Sequence, residues 1–187
     1  MKQKIRCSWC EKDDLYRTYH DNEWGKPVTD DALLFEFLLL ETFQAGLSWY
    51  TILAKREHFK KAFDNFDYKK IALYDEQKIV ELINNSGIVR NKLKINAAIL
   101  NANSFMKTQI EFGSFSNYLW HFVNHKTIDN RPATLKDVPS TSILSDKISA
   151  DLKKRNFKFV GSTVIYSTLQ AVGIINDHVV DCWTRTV

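Results

Sequence analysis

The sequence predicts an all-α fold. Three observations carry that expectation. Apolar residues recur at three- and four-residue spacing along almost the whole chain. Asp and Ser, which cap helix N-termini, stand just ahead of several of these runs. No Asn-Gly or Asp-Gly pair sits between alternating apolar stretches, so nothing announces a β-hairpin, and there is no repeat or low-complexity tract.

The first strong element is ALLFEFLLLETF, capped by Asp30 or Asp31 and ending near Gly46. It is apolar nearly all round, which predicts a central, buried helix. Ser48 starts a second helix, WYTILAKREHFKKAF, with Lys and Arg on its outer face. Asp67 opens a short helical turn, and Asp75 opens DEQKIVELINN, for which Gly87 is the expected left-handed terminator. NKLKINAAILNANSFMKTQI and SNYLWHFVN follow as helices. Residues 125–140, with Pro132 and Pro139, read as a long loop. SDKISADLKKRNFK and STVIYSTLQAV complete the set.

At 187 residues the chain fits a single domain, 1–187, with enough length to bury a core. It is 44% hydrophobic and 26% charged, as folded soluble proteins are. A net charge of +4 is compatible with a polyanionic partner without demanding one. The opening MKQKIRCSWCEKDD lacks the apolar run of a signal peptide, and no apolar stretch approaches membrane-spanning length. The expectation is a cytoplasmic protein that does not engage a membrane. In a reducing compartment its three cysteines do not describe a disulfide framework.

Cysteine and histidine gather at the two ends. Cys7, Cys10 and His20 lie near the start, and His178 and Cys182 near the finish. On a helix, residues four apart share a face, so His178 and Cys182 can ligate one ion together. Two ligands from the N-terminal segment would complete a tetrahedron and tie the ends of the chain. Either Cys7 with Cys10 or Cys7 with His20 would serve, and both give a closed, structural site with no position for water. A redox role for the C-x-x-C pair wants a βαβ context, which this chain does not supply.

Trp9, Tyr16, Tyr19 and Trp24 crowd into residues 9–24, and Glu41 stands eight residues before Trp49. For any one ring, core packing is the ordinary explanation. The carboxylate is less ordinary. Glu41 has Phe37, Leu38, Gln44 and Ala45 as helical neighbours, which marks it as a buried or cleft-lining acid. Glu36 has similarly apolar neighbours, and the pattern does not choose between the two. The stretch NNSGIVRNK joins two helices, and a tight turn of this kind can aim backbone N–H groups at a phosphate. Arg90, Lys92 and Lys94 flank it, which suits a DNA backbone. It has only one glycine, Gly87, and an ordinary αα-hairpin would look the same. The basic stretch KKRNFKF (153–159) is equally well the solvated end of a helix.

Six blocks, in this order, carry a resemblance over nearly the full length: RCSW (6–9), YHDNEWG (19–25), LETFQAGLSW (40–49), GIVRNKLKI (87–95), FKFVGSTVIYS (157–167) and NDHVVDC (176–182). With these the chain resembles the bacterial type I 3-methyladenine DNA glycosylases. The resemblance implies an all-α, helix-hairpin-helix glycosylase with two helical lobes, 28–112 and 1–27 plus 113–187. It implies one structural zinc on Cys7, His20, His178 and Cys182, with Cys10 outside the ligand set. It implies a base pocket of Trp9, Tyr16, Tyr19, Trp24, Glu41 and Trp49, with Gly46 and Leu47 filling the gap left in the duplex. The partners implied are double-stranded alkylated DNA and free 3-methyladenine as product, for a protein expected to be a monomer. The chain departs from the family at Phe43, where relatives often carry a polar residue, a change at the edge of the expected pocket.

The chemistry suits those residues. A base inside a duplex must be flipped out before it can be cut, at a cost of a few kcal/mol. A cationic, alkylated purine stacks well on an indole and is attracted by a carboxylate. It also leaves as a neutral base, so little acid catalysis is needed. No lysine nucleophile is expected, which makes the enzyme monofunctional. Two rivals remain at this level: a non-catalytic DNA-binding module, and a zinc hydrolase using His20, Asp21 and Glu23.

Overall fold

The computed structural model describes residues 4–185. Among them the regular secondary structure is helical apart from one pair of two-residue strands. The first helix, α1 (Asp14–Asn22), is one that apolar spacing does not announce, because Tyr19 and His20 are its only buried residues. Asp13 caps it by accepting from the Tyr16 N–H at 3.0 Å.

The helix α2 (Asp31–Gln44) is the buried centre that its composition predicts, and nine of its fourteen residues are buried. The two candidate caps divide their work. Asp30 accepts from the Leu33 N–H at 2.8 Å and starts α2 itself. Asp31 instead reaches the first N–H groups of α8 (Phe115–His121), accepting from Phe115 at 2.9 Å and Ser116 at 2.8 Å. A cap supplied from another helix satisfies orphan donors and fixes the two helices together.

The expected single helix after Ser48 is two, α3 (Trp49–Leu53) and α4 (Arg56–Ala62). The residues at the break make tertiary contacts. The Lys55 ammonium donates to the carbonyls of Ser86 (3.3 Å) and Gly87 (3.2 Å), while Arg56 turns to Glu23 and Glu36.

Asp67 and Asp75 cap α5 (Tyr68–Ile71) and α6 (Glu76–Asn84) as expected. Gly87 does not terminate α6 in the left-handed conformation. Among the described glycines only Gly25, Gly46, Gly113 and Gly173 have positive φ. Gly87 is small for another reason, since a Cβ there would lie 3.1 Å from the Cβ of His58. Its own N–H is taken by Asn85 Oδ1 at 2.8 Å.

The long α7 (Lys92–Phe112) is capped by Asn91 and ends at Gly113. Then come α8, α9 (Ile143–Lys154) and α10 (Ser162–Ala171). The expected loop 125–140 contains β1 (Ile128–Asp129), which pairs in parallel with β2 (Ile175–Asn176). Ile175 and Asn176 are buried, and their backbone groups need partners that water does not supply. The helix α2 packs against α3, α7, α8 and α10, and α10 packs on α9. No helix among the described residues is long and apolar enough to cross a membrane.

Candidate active site and metal centre

The C-terminal end of α2 delivers Glu41 into a cavity of about 270 Å³. Trp9, Tyr16, Tyr19 and Trp24 line it from the N-terminal segment and α1, and Trp49 from the start of α3. The rings pack mainly edge to face. Centroids lie 4.9 Å apart for Trp9 and Tyr16, 5.0 Å for Trp9 and Trp24, and 5.3 Å for Tyr19 and Trp49. Such contacts hold flat faces at fixed angles around an open space.

Glu41 is 3% exposed, and burial pushes its carboxyl up to about 8. Its Oε2 has no hydrogen-bond partner, and neither has Trp49 Nε1. Two buried, unsatisfied polar atoms on one cavity are costly unless something else binds there. Burial first, and the Glu41 carboxylate after it, also raises Tyr19 well above the ordinary phenol range, so its hydroxyl stays a donor. Glu36, the rival acid, is paired with Arg56 at 2.6 Å and does not line the cavity.

Phe43 lies elsewhere. It is fully buried against Phe59 and Phe63, with centroids at 4.9 and 5.6 Å, so its departure from the family pattern leaves the pocket edge untouched. Gly46 and Leu47 line a smaller adjoining hollow of about 180 Å³ that shares Glu41, Gln44 and Ser167 with the main cavity. Gly46 has φ +81, and Leu47 is 42% exposed beyond it.

The hairpin residues separate. Arg90 is exposed between α6 and α7, and Lys92 is exposed at the first position of α7. Lys94 is not available to a phosphate, and that expectation is corrected. It is 6% exposed, and its ammonium donates to the carbonyls of Phe43 (2.8 Å) and Ala45 (2.6 Å). Two residues into α7 from exposed Lys92, the helix already faces the core. Gly87, with its N–H bonded to Asn85, does not offer that group to a phosphate either.

Sequence reasoning missed one wall of the cavity. Gln44, Leu135, Val138, Ser167, Gln170 and Asp177 also line it. Asp177 is buried and accepts from Tyr166 (2.7 Å), Gln170 (2.7 Å) and Asn130 (2.8 Å). The available signal was weak, because Ser167 and Gln170 stand among other polar residues, Ser162, Thr163 and Thr168, of α10. Leu135 and Val138 arrive from a loop, where spacing carries no information.

The two ends of the chain meet at a second centre. One ligand atom each from Cys7, His20, His178 and Cys182 lies within 4.8 Å of the others, and all four residues are buried. Cys182 Sγ is 3.4 Å from His20 Nε2 and 3.5 Å from His178 Nδ1, and Cys7 Sγ is 3.7 Å from that same nitrogen. A tetrahedral zinc with ordinary bond lengths sets sulfur and nitrogen ligands about 3.5 Å apart. The outward nitrogens are engaged too: His20 Nδ1 faces Asp21 at 2.9 Å, and His178 Nε2 the Trp24 carbonyl at 3.3 Å. The residues therefore fit a metal ion. His178 and Cys182 do not share a helix, contrary to the expectation. Residues 177–182 form a non-helical segment closed by a 2.8 Å bond from the Cys182 N–H to the Val179 carbonyl. Cys10 points away and donates to the Cys7 carbonyl at 3.1 Å. Asp21 is held by Arg6 and Glu23 by Arg56, so neither carboxylate is free beside the cluster.

The model of the family described as Methyladenine glycosylase matches residues 9–186. The chain belongs to that family. It is 46% identical over 177 residues to DNA-3-methyladenine glycosylase 1 of Escherichia coli (strain K12), covering 95% of each chain. Among solved structures it is similar to a crystal structure of 3-methyladenine DNA glycosylase I, at 43% identity and TM-score 0.94, covering 97% of this chain and 100% of that one. It is also similar to a tyrosine-to-phenylalanine variant of 3-methyladenine DNA glycosylase I in complex with 3-methyladenine, at 36% identity and TM-score 0.94, covering 97% and 98%. The aromatic cavity and the cysteine–histidine clasp thus occur in a methyladenine glycosylase chain.

Proposed function

We propose that this protein is a DNA repair glycosylase that flips out 3-methyladenine and hydrolyses its N-glycosidic bond. The observation that carries this reading is the unpartnered Glu41 oxygen in a cavity shared with Trp49 and Tyr19. A neutral ligand would leave that carboxyl close to its isolated state. A cationic purine supplies both a counter-charge and, through its exocyclic amine, a donor. Its ring stacks on Trp49, where the indole face favours positive charge. The phenols of Tyr19 and Tyr16 shape the pocket and offer hydroxyl groups.

The adjoining Gly46–Leu47 turn is read as the plug that occupies the vacated stack, an apolar wedge as used by other base-unstacking proteins. The α6–α7 turn is read as a helix-hairpin-helix element, with Arg90 and Lys92 on the phosphates. The 28–112 lobe then presents hairpin and plug, while the lobe formed by 1–27 and 113–187 closes the pocket.

Cleavage needs little from the protein beyond grip and orientation. The bond to an alkylated, cationic base is already weak, and the base leaves neutral. Water then attacks the sugar. Among the described residues no lysine lines the cavity, which fits a monofunctional enzyme without a Schiff-base step.

Zinc is read as the resident ion of the clasp, held by Cys7, His20, His178 and Cys182. A closed four-ligand site supplies folding energy and no open position for water. Incubation with methylated duplex DNA, followed by identification of the released base, tests the reading. Release of free 3-methyladenine supports it. Binding to the DNA without release would make the chain a DNA-binding module instead.

A further inference from the structure

The buried ammonium of Lys94 is not explained by phosphate contact. It spans between the start of α7 and the end of α2, 51 residues away in sequence at Phe43. Orphan carbonyls are expected at a helix C-terminus, and a cation there also meets the negative end of the helix dipole. Two donors from one ammonium take up the Phe43 and Ala45 carbonyls at 2.8 and 2.6 Å. Immediately beyond, Gly46 turns left-handed and the Leu47 N–H closes on the Gln44 carbonyl at 2.6 Å.

Beyond its own Leu47–Gln44 bond, the tip of this turn is open on its outer side. No atom lies within 4 Å of where a Cβ on Gly46 would stand, and the Leu47 side chain is 42% exposed. The bonds from Lys94 tie the residues that lead into the turn to α7. That same helix begins at Lys92, with Asn91 as its cap and exposed Arg90 beside it.

We propose that Lys94 is a positioning residue that fixes the Gly46–Leu47 plug relative to the hairpin, so that gripping the backbone places the plug in the duplex. This rests on the glycosylase reading above. The mechanism is geometric. A wedge on a loose turn spends binding energy on ordering itself, whereas a wedge anchored to the gripping element does not. Lys94 does not line the base cavity, so it would act on base extrusion rather than on contacts to the flipped base.

A double-mutant cycle with duplex substrate tests this. K94M and L47A should each lower excision from methylated duplex DNA by about tenfold, and the double variant by little more than either alone, because both remove the same placed wedge. The affinity of K94M for free 3-methyladenine, read from tryptophan fluorescence, should stay within about twofold of wild type. K94R, which keeps the donors, should recover most of the loss. Should K94M not fold, K94Q, a shorter and uncharged donor, enters the same cycle. Multiplying losses in the double variant, or a parallel fall in free-base affinity, would overturn the proposal. Failure of the wild-type protein to release any base would defeat the glycosylase reading instead, so the two failures are distinguishable.

Discussion

Glu41 and Trp49 line one cavity, and each carries a buried polar atom with no partner in the protein, Oε2 and Nε1. A carboxylate and an indole arranged in this way are incomplete without a ligand that is flat, cationic and able to donate. That relationship sets the first prediction. Glu41→Gln keeps the shape and removes the charge, so excision should fall roughly 10- to 100-fold, the range expected for losing a charge-assisted hydrogen bond. Binding to undamaged DNA should hold. Equal losses in both assays would make Glu41 a structural residue.

The same carboxyl makes folding depend on pH. Its value moves from 4.5 to about 8 on burial, so the folded protein holds this proton longer than the unfolded chain does. The stability it contributes is complete below the unfolded value and drains away as pH rises through the folded one, at no more than ~1.4 kcal/mol per pH unit. Denaturant midpoints at pH 5 and pH 8 should therefore fall further for wild type than for Glu41→Gln. A pH slope identical in the two proteins would contradict the burial argument.

Metal content should follow the clasp and ignore the C-x-x-C spacing. Cys10→Ser should bind one zinc per chain, while His20→Ala should bind less and melt earlier. Elemental analysis of the purified variants decides it, and the reverse pattern would put Cys10 in the ligand set. Enzyme stripped of metal but still folded should continue to release base, since a closed site takes no part in the chemistry.

Gly25 buttresses that clasp. Its φ is +77, and a Cβ there would sit 2.7 Å from His178 Nε2. Gly25→Ala should cost at least about 1–2 kcal/mol from the left-handed backbone, with the contact added. Faster zinc loss to a chelator and a lower melting temperature are the expected signs.

Borohydride should trap no covalent complex with alkylated DNA. With Lys94 committed to two carbonyls and no lysine among the described cavity residues, an amine is not placed to attack the sugar. A trapped adduct would require another mechanism.

Local chemistry in the sequence was enough for most of the helices, though not for α1 or the division of α3 from α4. Apolar spacing and Asp or Ser caps located α2, α5 and α6, because those signals act within a few residues. The nature of α2 was legible as well: a stretch apolar on every side has nowhere to go but the centre. The six blocks named the residues of the pocket and the clasp, although spacing left Glu36 against Glu41 and Cys10 against His20 undecided. Tertiary structure decided those pairs. Arg56, from another helix, claims Glu36, and the approach of the chain's two ends selects His20. Distance along the chain also hid the fates of Lys94 and Lys55, and the wall formed by Leu135, Val138 and Asp177. Each of these depends on which distant carbonyl, carboxylate or cavity a side chain meets after packing, and a helical repeat encodes only the face on which it starts.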